Sequence, residues 1–279
     1  MKSIPLVALL TDFGTRDGYV GVMKGVMLGI APDVRLVDLT HEIPPQDVRA
    51  AAWVLHTSWR SFPGGTVFLC VVDPGVGTGR RPVALRAGGR FFVGPDNGLF
   101  SYVLADTPVE RTVVLDKALY HLPTLSATFH GRDIFAPAAA HLARGILLDA
   151  AGTPVDPESL VRLPLSQPEW QEDALLGHVL HSDRFGNLIT DFGPACTDAI
   201  LATPEMSMCI AGETIREHCR TFVEGPEEQP FALRDSSGHL MIAVRGGSAA
   251  ELLGAGVGEA VIVLGLERDA YPTCGQPAG

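Results

Sequence analysis

The run Pro5 to Leu10 is the feature that most limits what this chain can fold into. Six successive apolar residues lead directly into Thr11-Asp12-Phe13-Gly14. A strand that is apolar on both faces must be covered on both faces. This one also delivers polar residues at its carboxyl end. The pattern then repeats. A helix is predicted from about Gly18 to Ile30, closed by Ala31-Pro32, and a second strand spans Val34 to Leu39. Asp47 suits the N-cap of a helix running through Trp53 to Trp59. A third strand, Thr66 to Val72, ends in Asp73-Pro74-Gly75-Val76-Gly77. Strands alternating with helices predict an α/β domain, a mostly parallel sheet flanked by helices.

A hairpin, Pro82 to Leu85 and Phe91 to Val93 around Gly88-Gly89, interrupts the alternation. Asp96-Asn97-Gly98 turns into a short helix, and His130-Gly131-Arg132-Asp133 precedes one from about Ile134 to Ala143. Between Leu163 and Asp173 the texture changes, with Pro164 and Pro168 among polar residues, which reads as a linker. Beyond it, short apolar runs (Gly177 to Leu180, Asn187 to Asp191, His239 to Val244, Ala260 to Leu266) alternate with turn residues. The expected division is an α/β domain over 1–165 and a smaller all-β, barrel-like domain over 174–270. The tail from Tyr271 is expected to be loose.

Composition removes several classes of function. The formal net charge of -11 and the lack of any Lys/Arg cluster argue against nucleic acid as a partner. No stretch is long and apolar enough to cross a bilayer, and the apolar run near the start is too short for a secretory signal. The five cysteines, Cys70, Cys196, Cys209, Cys219 and Cys274, are scattered and form no C-x-x-C pair, so they read as reduced thiols of a cytoplasmic protein. There is no G-x-x-x-x-G-K-[ST], H-E-x-x-H or G-x-S-x-G. Gly14, Gly18 and Gly21 do not match dinucleotide-binding spacing. No cofactor and no metal is expected. A metal-dependent hydrolase built on Asp12, Asp73 and His130 is a rival reading without diagnostic ligand spacing.

What remains is a set of polar residues at strand ends, where ligands of open α/β sheets bind. Asp12 could accept hydrogen bonds from two ribose hydroxyls, or form a turn. Asp73 lies in D-P-G-V-G-T-G-R, from which Arg80 can fold back onto it, as an active pair or as an ordinary surface ion pair. His130 stands at a helix entrance, where burial or a neighbouring acid would set its charge. His41-Glu42 is a rival, ranked lower because Ile43-Pro44-Pro45 suggests a rigid connection. In the second domain, Asp183-Arg184-Phe185-Gly186-Asn187 combines an acid, a ring for stacking and an amide for a purine edge, or else forms a β-turn. Asp235-Ser236-Ser237-Gly238 reads first as a hairpin turn.

Taken in order, these segments resemble the S-adenosylmethionine hydroxide adenosyltransferase family, relatives of the fluorinase and chlorinase enzymes. The resembling runs are T-D-F-G from Thr11, D-G-Y-V-G-V-M-K-G from Asp17, H-E-I-P-P-Q-D-V from His41 and V-V-D-P-G-V-G-T from Val71. They continue with G-P-D-N-G-L from Gly94, F-H-G-R-D-I-F-A-P from Phe129, D-R-F-G-N-L-I-T from Asp183 and D-S-S-G-H-L from Asp235. The resemblance implies hydrolysis of S-adenosylmethionine by water attacking the ribose 5′ carbon. It implies a homotrimer with active sites between one subunit's first domain and its neighbour's second. It assigns a catalytic set to Asp73, Arg80 and His130, and the ribose hydroxyls to Asp12. Phe185 and Asn187 would face the adenine, with Phe222 stacking on it and Val244 lining the pocket. Asp183 and Ser236 would contact the methionine end. Asp235 departs from the usual Asn, and Arg245-Gly246-Gly247-Ser248 replaces an Asn-containing stretch. A halogenase is the nearer alternative. It is disfavoured by the intact Asp-Arg-His set, by Gln46 where the fluorinase has an aromatic, and by the short stretch from Arg81 to Gly94. A non-catalytic adenosyl sensor is the alternative from another class.

Overall fold

The computed structural model describes residues 5–268. The expected loose tail, Cys274 and the last two positions of the 174–270 domain lie outside them. The chain divides into two compact units, Met1–Pro164 and Leu165 onward.

In the first unit β1 (Leu6–Thr11) leads to α1 (Tyr19–Ile30), β2 (Arg35–Thr40), α2 (Val48–Ser58) and β3 (Val67–Val71). The chain continues through β4 (Pro82–Ala87), β5 (Arg90–Pro95), α3 (Ser101–Asp106) and β6 (Val109–Val114). It closes with α4 (Ala136–Ala143), α5 (Leu148–Ala151) and the two-residue β7 (Thr153–Pro154). The strands form one sheet in the order β2-β1-β3-β5-β4-β6-β7. From β2 to β5 the pairings are parallel; from β5 to β7 they are antiparallel. The sheet is therefore mixed. The tight turn at Gly88-Gly89, both at positive φ, leaves β4 and β5 no other way to pair.

Period-two alternation divides β1 between two cores. Val7 and Leu9 pack with Met23 and Met27 of α1 and with Ala138, Ala139 and Leu142 of α4. Ala8 and Leu10 pack with Ala51 and Leu55 of α2 and Val103 of α3. This burial also decides α1, which carries Gly21, Gly25 and Gly29. Three interior glycines cost about 3 kcal/mol of helix propensity. Burying Val20, Met23 and Met27 contributes roughly 5–9 kcal/mol, so tertiary packing holds the helix. α2 begins where expected, the Asp47 carboxylate accepting the Ala50 N–H at 2.9 Å.

The second unit comprises β8 (Glu169–Gln171), β9 (Ala174–Ser182), β10 (Leu188–Thr190), α6 (Pro194–Ala202), β11 (Ser207–Ile210) and β12 (Glu213–Ile215). β13 (Pro230–Arg234), β14 (Leu240–Val244), α7 (Ala249–Leu253) and β15 (Ala260–Leu264) complete it. The order β12-β11-β15-β9-β10-β14-β13 is antiparallel throughout, and a bridge from His218 to Ala232 of β13 brings the two edges close to a closed barrel. Two short helices and the strands β11 to β13 add to what the sequence predicts here. Part of the expected linker is a strand, because β8 pairs with β9. Cys70, Cys209 and Cys219 are free thiols, whereas Cys196 is disulfide-bonded, which corrects the expectation that all five cysteines are reduced.

Candidate active site

The order β2-β1-β3 reverses direction at β1, so the carboxyl ends of β1 and β3 form a switch point of the kind at which open sheets bind ligands. Thr11 and Val71 are register partners, which brings Asp12 and Asp73 to the same edge.

The segment from Asp73 to Arg80 is a compact double turn. Val76 N–H donates to Asp73 O at 3.2 Å and Thr78 N–H to Gly75 O at 3.2 Å. Arg80 folds back as the spacing suggests. Its Nε lies 2.9 and 3.0 Å from the two Asp73 carboxylate oxygens, and its Nη2 also donates to Oδ2. The same Nη2 donates to His130 Nδ1 at 2.8 Å. Both side chains of the ion pair are largely buried, so this is not a solvent-screened surface pair. Arg80 further rests on the Phe135 ring, 5.1 Å from its centroid.

One glycine explains why these loops can meet. Gly77 has φ +77, and a Cβ there would stand 2.4 Å from the Ala127 carbonyl oxygen. The turn that carries Arg80 thus lies directly on the loop that carries His130. That loop is held by Asp133, fully buried, which accepts from Ser126 N–H at 2.6 Å and from Arg132 Nε at 2.6 Å. Burial works against its charge, but Arg132 and the Ser126 amide prevail and keep Asp133 ionised below the usual carboxylate range. Gly131–Phe135 forms a π-helical turn before α4, where the sequence suggests an ordinary helix start. Such turns are frequent at functional sites.

Burial and the Arg80 charge together hold the His130 imidazole below its usual pKa, outweighing Asp73 and Asp133. The geometry agrees. Guanidinium can only donate, so Nδ1 must be unprotonated, and the neutral ring carries its proton on Nε2. Arg80 Nη1 is left free of the bonds to Asp73 and His130. The arrangement leaves a cationic N–H of Arg80 and an imidazole N–H of His130 available to ligands. Among the described residues no group of three or more His, Cys, Asp or Glu is set to hold a metal ion. Between Asp73 and His130 stands the guanidinium.

Asp12 follows β1 and accepts Gln46 N–H on Oδ2 at 2.8 Å, with Gln46 itself at φ +67. In the second unit the Asp183 carboxylate closes its own turn, accepting from Phe185 N–H at 2.8 Å, Asn187 N–H at 2.9 Å and Asn187 Nδ2 at 2.8 Å. Asn187, 5 % exposed, is thereby oriented with its carbonyl oxygen available as an acceptor. Gly186 is at φ +78, and a Cβ would strike Ser248 Oγ at 2.0 Å. Phe185 and Phe222 are 75 % and 48 % exposed. Asn187 leads into β10 at Leu188, the partner of Ile242, so this turn and buried Val244 share one end of the ladder. Ser236 does not join them. It is exposed in the β13–β14 turn, at the opposite end of those strands from Val244. Asp235 closes that turn by accepting from Ser237 and His239 N–H, both at 2.8 Å. An open cleft of about 600 Å³ lies in this unit, lined by residues including His218, Arg220 and Arg234.

Sequence reasoning did not assign Asp133, although it quoted it within F-H-G-R-D, nor Asn97, whose Nδ2 donates to Val72 O at 2.9 Å and holds the end of β3. The Gln46 amide on Asp12 had no signal in residue type, because it is a backbone group.

A mixed α/β unit with an Asp-Arg-His triad at its strand switch point, followed by an antiparallel β unit, defines the class. Residues 7–152 match the SAM hydroxide adenosyltransferase N-terminal domain and residues 177–262 its C-terminal domain. This chain belongs to the SAM hydroxide adenosyltransferase family. It is 45% identical over 256 residues to an (R)-S-adenosyl-L-methionine hydrolase of Thermus thermophilus, covering 89% of this chain and 95% of that protein. Similarity to a fluorinase of Nocardia brasiliensis is lower, 31% over 212 residues, covering 67% of this chain and 71% of that one. A solved structure of a conserved protein from Thermotoga maritima superposes with a TM-score of 0.85 at 32% identity, covering 92% of this chain and 99% of that one.

Proposed function

We propose that this chain hydrolyses S-adenosyl-L-methionine to adenosine and L-methionine by in-line attack of hydroxide on the ribose 5′ carbon. The observation that carries the reading is the bond from Arg80 Nη2 to His130 Nδ1, with Asp73 closing the other side of the guanidinium. The leaving group is a neutral thioether, so no acid is needed for its departure. What the reaction needs is a nucleophile held in line. Arg80 Nη1–H supplies a cationic donor that lowers the pKa of the attacking water and favours hydroxide, the proton passing to solvent, while His130 holds that guanidinium in position through Nη2. Asp73 balances the guanidinium charge and fixes its plane. Attack by hydroxide on a sulfonium neutralises charge, which a poorly solvated site favours.

Asp12 receives the ribose hydroxyls with the carboxylate lone pairs that Gln46 leaves free. Asn187 offers its carbonyl oxygen to the adenine amine, Phe185 and Phe222 supply stacking faces, and Val244 lines the pocket. Asp183 serves the methionine end. The exposure of Phe185 and Phe222 favours a homotrimer in which a neighbouring subunit covers them. We further infer action in the cytoplasm. Detection of the protein only in membrane or extracellular fractions would remove that inference.

The test is direct. Purified protein with S-adenosylmethionine should yield adenosine and methionine by mass, with ¹⁸O from labelled water in the adenosine 5′ hydroxyl. A 5′-halo-adenosine formed in chloride or fluoride would move the chain to the halogenases. Bound S-adenosylmethionine recovered intact would make it a sensor.

A further inference from the structure

His41 is unused by the chemistry above, yet it is 4 % exposed and both ring nitrogens face polar side chains. Its Nδ1 lies 2.8 Å from Thr11 Oγ1, its Nε2 3.0 Å from Asp38 Oδ1, and the other Asp38 oxygen lies 2.6 Å from Lys24 Nζ. The contact to Asp38 is bent rather than linear. Its main-chain oxygen accepts Gly14 N–H at 2.7 Å. Phe13 N–H donates to Thr11 Oγ1 at 3.2 Å.

These contacts have one consistent direction. The Asp38 carboxylate 3.0 Å away disfavours a bare Nε2, so in the neutral ring Nε2 carries the proton and Nδ1 is an acceptor. Thr11 must then donate its hydroxyl proton to Nδ1, which leaves its oxygen lone pair for Phe13 N–H. Thr11 is tied to the buried ring, Phe13 to the Thr11 hydroxyl and Gly14 to the His41 main-chain oxygen, and Asp12 is the residue they enclose. We propose that His41 is a positioning residue that, through Thr11, sets the Asp12 carboxylate for a vicinal diol before substrate arrives. The inference rests on the reading of Asp12 as the ribose ligand. Ordering the loop in advance removes an entropic cost that binding would otherwise bear.

The experiment compares adenosine with 2′,3′-dideoxyadenosine as calorimetric probes of the full-length protein. Thr11→Val is nearly isosteric and lacks only the hydroxyl; His41→Leu removes the ring acceptor; His41→Asn restores an acceptor near Nδ1. Both Thr11→Val and His41→Leu should weaken adenosine about tenfold and leave the dideoxy nucleoside unchanged. The double variant should be no weaker than either single one, because one chain is cut twice. His41→Asn should recover part of the loss. Equal weakening of both nucleosides would mean a general structural role and overturn the proposal, as would no weakening of either. Asp12→Asn separates the two levels. If it erases discrimination while Thr11→Val and His41→Leu do not, only the positioning role fails. If the unsubstituted protein does not discriminate, the ribose reading fails and the proposal with it.

Discussion

Arg80 Nη2 is shared between an anion and a neutral ring, and this sharing fixes the protonation of His130. Protonating that ring would set a second cation against the guanidinium. The folded-state pKa is depressed, so the stability this group contributes is fully present above the unfolded histidine value of about 6.5 and is lost as pH falls through the lower folded value. The acid limb of kcat/KM should therefore lie below pH ~6.5, with thermal stability declining over the same window. A limb at or above that value, or one that persists in His130→Gln, would contradict the assignment. Substitution should separate turnover from binding. Asp73→Asn and His130→Ala are expected to lower kcat by about 10²-fold or more while changing KM only a few fold. Unchanged turnover in both would remove the mechanism. Residue identity was legible here because a polar residue after an apolar strand has few other reasons to be there. The direction of each bond was not, since it depends on which face of each loop meets the other.

The element that brings the triad together is the double turn from Asp73 to Arg80 resting on the loop before His130. Gly77→Ala would require both a left-handed alanine and a Cβ 2.4 Å from a backbone oxygen. Backbone cannot move aside like a flexible side chain, so the turn itself must shift, and Arg80 with it. The expected result is a loss of about 1–3 kcal/mol in chemical denaturation together with a kcat loss larger than that destabilisation explains. Full activity in a folded Gly77→Ala protein would show that the turn is not what positions Arg80. Such elements explain the uneven legibility of the sequence. β1 and β3 announce themselves because they are buried on both faces. β11, β12 and β13 do not: Ser207–Ile210 and Glu213–Ile215 are three or four residues long with one polar face, and β13 opens on a proline. Their strand character comes from neighbours distant in the chain. The π-helical turn at Gly131–Phe135 is equally silent, because F-H-G-R-D-I-F carries the same local preferences as a regular helix start.

Across the whole molecule, the triad is in the first unit and the proposed adenine contacts are in the second, so in the proposed homotrimer the assembly itself would complete each site. In a closed ring of three, a site built from one subunit's first unit and its neighbour's second has a direction around the ring. That direction makes a prediction that a self-contained site does not. Asp73→Asn disables the first unit of a subunit and Asn187→Ala disables its second, so each homotrimer alone should be inactive or unable to bind. When the two variants are co-expressed with different tags and trimers bearing both tags are isolated, every such ring contains one junction where an intact first unit meets an intact second unit. Activity should return to about one-third of the unsubstituted enzyme per trimer, whichever variant is present twice. If each active site is built within a single chain, every subunit of the mixed ring still carries a defect and no activity returns. Light scattering on the same sample gives the subunit number independently. A monomer would deny the premise, and a trimer without complementation would place both halves of the site in one chain.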